Sequence, residues 1–174
     1  MTTASKGLAV VYAENIYENL ELHYPRLRLI EAGYDVRVVA PKKGETYTSK
    51  EGYPVKSDAE FSEINPSDVK VLVVPGGFAP DKLRRYAAGN ELVAAAWNAG
   101  AVVTFICHGG WVPISAKIVK GKRLTSVPAI KDDLINAGAI WLDEPCVVDG
   151  NMVTAQLPKD LPAMMEAVLT ILRD

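Results

Sequence analysis

Short apolar runs alternate with stretches of helical period along most of this chain. Leu8–Tyr12, residues 34–40, Val69–Val74 and Val102–Ile106 read as strands, the last two buried on both faces. Leu20, Tyr24, Leu27 and Ile30 form a helical stripe that Gly33 stops. Pro25 inside that stripe cannot donate a helical hydrogen bond and predicts a kink or a restart. Residues 80–86 and 91–99 read as helices separated by Gly89-Asn90, and residues 111–119 as a third. Residues 130–137 make a short helix before Gly138, and 162–172 a closing one with Met164, Met165, Val168 and Leu172 inward. Residues 124–127 and 141–142 give two short strand signals. Thr46–Thr48 and residues 53–55 predict a small hairpin beside the main sheet. Residues 146–148 and 152–154 predict another around Asp149-Gly150-Asn151.

Strands alternating with helices imply an α/β fold, a doubly wound, mostly parallel sheet covered on both faces. In such sheets a site forms beyond the carboxyl ends of the strands, where the strand order reverses. Three features follow strand ends directly: Glu14 and Glu18, Gly76-Gly77, and Cys107-His108. They are expected to meet on one edge.

Cys107-His108-Gly109-Gly110 stands between the strand 102–106 and a helix. A sharp turn there lifts a nucleophile out of the sheet, the arrangement of a nucleophile elbow. Phe105 occupies the first glycine position of the hydrolase form, and only Gly109 matches. A helix N-terminus and a cationic His108 would favour the thiolate, so Cys107 is expected to react as an anion at neutral pH. Free cysteines are more often small buried hydrophobes, the expected role of Cys146. An adjacent histidine and two glycines put the functional reading ahead for Cys107. His23 reads as a surface or boundary residue.

The 174 residues suit one domain over 1–174, and a charged share of 23% is ordinary for a globular protein. A net charge of −2 without a Lys/Arg cluster argues against a nucleic-acid partner. No apolar run approaches ~18 residues and no basic segment opens a leader, so neither a membrane nor export is expected. Two cysteines without a framework point to a reducing, cytoplasmic location. Cofactor and metal motifs are missing, and neither a cofactor nor a metal is expected.

The residues also carry a resemblance. Glu21-Leu22-His23-Tyr24-Pro25, residues 74–81 (Val-Pro-Gly-Gly-Phe-Ala-Pro-Asp), Ile106-Cys107-His108-Gly109, residues 130–138 and residues 147–151 keep order and spacing over nearly the whole chain. The sequence resembles the PfpI family of intracellular proteases and protein deglycases, in the parkinsonism-protein branch of the class I glutamine-amidotransferase-like superfamily. The resemblance implies a flavodoxin-like sheet with Cys107 as nucleophile and His108 beside it. It implies Glu18 as the carboxyl that hydrogen-bonds the sulfur; desolvation beside a thiolate should keep that carboxyl protonated, so the pair is expected to share one negative charge. Gly77 and His108 would supply oxyanion-binding N–H groups. Asp81 would reach the Cys-His pair of a neighbouring subunit, which implies a homo-oligomer. Val127, Gly110 and Ala155-Gln156-Leu157 depart from the family pattern at positions that bear on substrate preference.

Two classes of function compete. One is a cysteine enzyme acting on reactive carbonyls or glycated protein, as a deglycase or a glutathione-independent glyoxalase making lactate from methylglyoxal. An intracellular cysteine peptidase is its alternative. The other class is a non-enzymatic redox-sensing stress protein or chaperone in which Cys107 oxidises to sulfinic acid beside Glu18.

Overall fold

A computed structural model describes residues 5–173. Residues 1–4, part of the stretch read above as lacking a leader, and residue 174 lie outside it. In chain order the elements are β1 (Leu8–Tyr12), α1 (Asn19–Glu31), β2 (Asp35–Ala40), β3 (Thr46–Thr48), β4 (Pro54–Lys56), β5 (Ala59–Glu60), β6 (Val69–Val74), α2 (Ala79–Leu83) and α3 (Ala87–Asn98). Then follow β7 (Val102–Ile106), α4 (Trp111–Ser115), β8 (Arg123–Leu124), α5 (Lys131–Asn136), β9 (Ile140–Trp141), β10 (Cys146–Asp149), β11 (Met152–Ala155) and α6 (Leu161–Ile171).

The main sheet has the order β10-β11-β7-β6-β1-β2-β5, parallel except for the β10–β11 hairpin. β7 is buried along its whole length and β1 and β6 nearly so, which their unbroken apolar runs require. α1 and α6 pack on one face, α3 on the other. From β1 the chain builds outward to β2 on one side and to β6 on the other. The order therefore reverses between β1 and β6, where a crevice opens beyond the strand ends. Val74 pairs with Phe105, so the residues after β6 and β7 emerge side by side.

Both predicted hairpins form, β3 with β4 and β10 with β11, with Gly150 at a φ of 58° in the second turn. Four expectations change. Pro25 leaves α1 unbroken over 13 residues. Gly89-Asn90 lies inside α3 instead of between helices. Phe61 fills the space that a Cβ on Gly89 would enter, 3.2 Å from the ring, and Tyr12 donates to the Gly89 carbonyl at 2.7 Å. The helix after the elbow ends at Ser115, because Lys117 turns left-handed at a φ of 63°. Ile118 and Val119 are buried, which explains their periodicity without a helix. The strand signal at 124–127 shrinks to β8, which pairs with β9 in a small separate sheet. Among the described residues no helix is long and apolar enough to cross a membrane.

Candidate active site

Cys107 ends β7 with a φ of 59°, a left-handed backbone that non-glycine residues rarely adopt. A short 3₁₀ turn, Cys107–Gly110, follows and runs into α4. The turn is possible because its neighbours lack side chains. A Cβ on Gly109 would lie 2.5 Å from the Val74 carbonyl oxygen. One on Gly76 would lie 2.5 Å from Glu21 Oε2 and 2.8 Å from Cys107 Cβ. The elbow strain is thus held by β6 and α1 together.

Cys107, His108, Gly77 and Glu18 line one pocket of about 220 Å³, with Glu21, Lys50, Phe78, Leu157 and Pro158 completing it. His108 Nδ1 lies 3.4 Å from the Cys107 sulfur. The backbone N–H groups of His108 and Gly77 donate to that sulfur. The expected gathering at one sheet edge is therefore present. Glu14 stays apart, accepting from Asn15 N and from the Tyr86 hydroxyl. Asp81 lies in the first turn of α2, ion-paired with Arg85, and does not line the pocket.

The carboxyl at the sulfur is a correction. Glu18 is the N-cap of α1, and its Oε2 accepts from Glu21 N at 2.8 Å. Capping holds that carboxylate on the helix end. Glu21, one turn further in and fully buried, is the group set against Cys107. Its Oε2 accepts from Gly76 N at 2.7 Å, and its Oε1 has no hydrogen-bond partner among the described residues. A signal for it existed in the sequence: Glu21 opens the Glu-Leu-x-Tyr-Pro block, three residues after a capping Glu18.

The protonation expected for the pair changes too. Burial, and next the Glu18 charge, push the Glu21 carboxyl up to about 7, against the pull of Gly76 N–H and of Lys50. Burial and the Glu21 charge push the Cys107 thiol up to about 12, outweighing the two N–H donors. Burial also lowers the pKa of His108, so the imidazole is neutral and supplies no positive charge to the sulfur. Two buried acids this close titrate as one unit. Across neutral pH the pair loses a single proton, and the carboxyl is the group that parts with it.

An α/β sheet with a strained cysteine beside the reversal point, a buried carboxyl against it and converging N–H groups defines a nucleophile-elbow protein of the flavodoxin-like type. Residues 8–171 match the DJ-1/PfpI family, and the chain belongs to it. It is 42% identical to Deglycase PfpI of Pyrococcus furiosus over 159 residues, covering 91% of this chain and 95% of that one. It is 38% identical to Bacillus subtilis YraA, named as a candidate cysteine protease, over 97% of this chain and 99% of that one. A two-domain Anabaena variabilis protein with DJ-1/ThiJ/PfpI-like and ferritin-like domains superposes with a TM-score of 0.94 at 36% identity. That match covers 96% of this chain and 48% of the larger one.

Proposed function

We propose that the protein is a cysteine-dependent enzyme acting on reactive carbonyls, a deglycase or glutathione-independent glyoxalase of the PfpI type. One observation carries the reading: Glu21, with an unpartnered oxygen, lies against a thiol on which two N–H groups converge. The deglycase names of relatives at 42% identity support it.

Above pH about 7 Glu21 is ionised while Cys107 keeps its proton. As the sulfur attacks an aldehyde carbon, the S–H bond breaks and the proton passes to Glu21. The S–C bond forms, and the carbonyl π pair moves onto oxygen, which Gly77 and His108 N–H groups stabilise. With methylglyoxal the adduct is a hemithioacetal. Moving a proton from its former aldehyde carbon to the neighbouring keto carbon, while the hydroxyl proton of the first carbon passes to the oxygen of the second, gives a lactoyl thioester. Water hydrolyses the thioester to lactate and returns the thiol. One carbon is oxidised as its neighbour is reduced, so no outside oxidant enters.

Peptide hydrolysis asks more, because His108 needs an acid to orient it. Within one chain Asp81 is committed to Arg85. The same proposal therefore includes a homo-oligomer in which Asp81 of one copy meets His108 of another. Dilution to nanomolar concentration should then lower specific activity, and full activity as a monomer removes the shared site. The main test is lactate production from methylglyoxal by wild type and Cys107→Ser. A wild type no faster than buffer overturns the enzyme reading. Ready conversion of Cys107 to sulfinic acid under mild peroxide, seen by intact mass, would then favour a redox sensor.

A further inference from the structure

We propose that Lys50, at the tip of the β3–β4 hairpin, is the counter-charge of the Cys107–Glu21 pair and sets the pH at which that pair becomes reactive. The inference rests on the reading of that pair given above. The hairpin looks like a decoration beside the sheet, but its tip is built into the site. Lys50 N donates to the Tyr17 carbonyl at 2.9 Å, and Ile16 N donates to the Thr48 carbonyl at 2.7 Å. Tyr17 bridges to Ser49 on one side and to Gly77 on the other. Its ring is fully buried, and its hydroxyl donates to the Tyr53 carbonyl at 2.7 Å. One residue thus holds both the lysine and the glycine whose N–H meets the sulfur.

The charges facing the pair can be taken element by element. α1 supplies Glu18 and Glu21, and the turn after β7 supplies Cys107 and a neutral His108. The segment after β6 supplies Gly77 and Phe78, and that after β11 supplies Leu157 and Pro158, none of them charged. The hairpin supplies Lys50, with Glu51 beside it, Nζ to Oε1 3.6 Å. Lys50 is therefore the one cationic side chain among the described residues that line the pocket. The Lys50 side chain is 44% exposed, so solvent screens its ammonium in part, and it stabilises one negative charge on the pair modestly from the mouth of the pocket. Losing it leaves two carboxyls and a thiol to compete without compensation. Lys50 is a positioning residue in this scheme: it acts on the nucleophile through Glu21 and forms no bond to substrate.

Neutral iodoacetamide, with Cys107 alkylation followed by mass across pH 5 to 10, reads the pair directly without any substrate. The wild-type rate should rise with a midpoint near the Glu21 value of about 7. Lys50→Met should move that midpoint up by roughly half to one pH unit, slowing labelling at pH 7 about two- to fivefold. Lys50→Arg should restore it. Glu51→Gln removes the competing carboxylate and should move the midpoint the other way, by a few tenths of a unit. An unchanged midpoint with a uniformly slower rate in Lys50→Met would mean that Lys50 only latches the hairpin, and the proposal falls. A shifted midpoint that Lys50→Arg fails to restore also overturns it. If methylglyoxal is not turned over and yet the midpoints shift as stated, the carbonyl-enzyme reading fails and this one stands.

Discussion

Cys107 and Cys146 are subject to similar pressures at the same end of the sheet, two strands apart, since Cys146 pairs with Ala155 and Ala155 with Ile106. Burial raises both thiols, and each has a carboxylate that raises it further, Glu21 for one and Asp160 for the other. Neither is fully buried. The difference lies in the backbone around the sulfur. Cys146 begins an edge strand and pairs with Ala155 in an ordinary antiparallel ladder. Cys107 is turned left-handed, with two N–H groups and an imidazole nitrogen on its sulfur. Asp160 is also committed, its Oδ2 accepting from Leu157 N, whereas Glu21 keeps one oxygen without a partner. A raised thiol is thus compatible with two opposite fates. On the function proposed above, a proton acceptor with a spare lone pair and donors for a developing oxyanion are what would make Cys107 a nucleophile and leave Cys146 as filler.

The comparison can be broken most sharply at the sulfurs themselves. Cys107→Ser should lower methylglyoxal turnover by roughly 10³-fold or more, while Cys146→Ala stays within about twofold. Equal losses in lactate release would erase the distinction. Glu21→Gln should come next, with turnover down about 10²-fold, the low end for a lost general base. It should also carry the alkylation midpoint of Cys107 upward, toward the behaviour of Cys146.

Stability against pH tests the same carboxyl without any chemistry. The folded-state value of Glu21 is raised to about 7 from 4.5, so between those values the unfolded chain has lost a proton that the folded one keeps. The Glu21 contribution to stability is greatest below pH 4.5, falls as pH rises toward 7, and levels above it. The fall attributable to Glu21 is on the order of 2–3 kcal/mol, and Glu21→Gln should abolish it. Urea unfolding of both proteins at pH 5 and pH 8 gives the double difference, and equal pH slopes would place Glu21 in a solvated setting.

Smaller effects sharpen the picture. Gly76→Ala should cost about tenfold in turnover, since its Cβ would press on both Glu21 Oε2 and Cys107 Cβ. Circular dichroism should show the fold retained. Glu18→Ala should lose about 1 kcal/mol of stability as a helix cap, with a milder loss of turnover than Glu21→Gln. The reverse ranking of the two glutamates in the lactate assay would return the catalytic carboxyl to Glu18.

Much of this protein was legible along the chain because much of it is local. The alternation of strands and helices, both hairpins, the buried β7 and the turn at Cys107 depend on periodicities and glycines within a few residues of each other. The meeting of Cys107 with Gly77 and α1 at one edge followed from each of them coming directly after a strand of a parallel sheet, whose carboxyl ends share one edge. The choice between Glu18 and Glu21 was of another kind. It depends on the residue at which α1 starts, because a helix capped by Glu18 turns Glu21 inward and leaves Glu18 on the helix end. The part played by Lys50 depends on where a hairpin some thirty residues away docks, through Tyr17, onto the loop after β1. Tertiary structure also decided the protons. Their placement answers to burial and to charges brought together from α1, β6, β7 and the hairpin, and those distances exist only once the chain has closed around them.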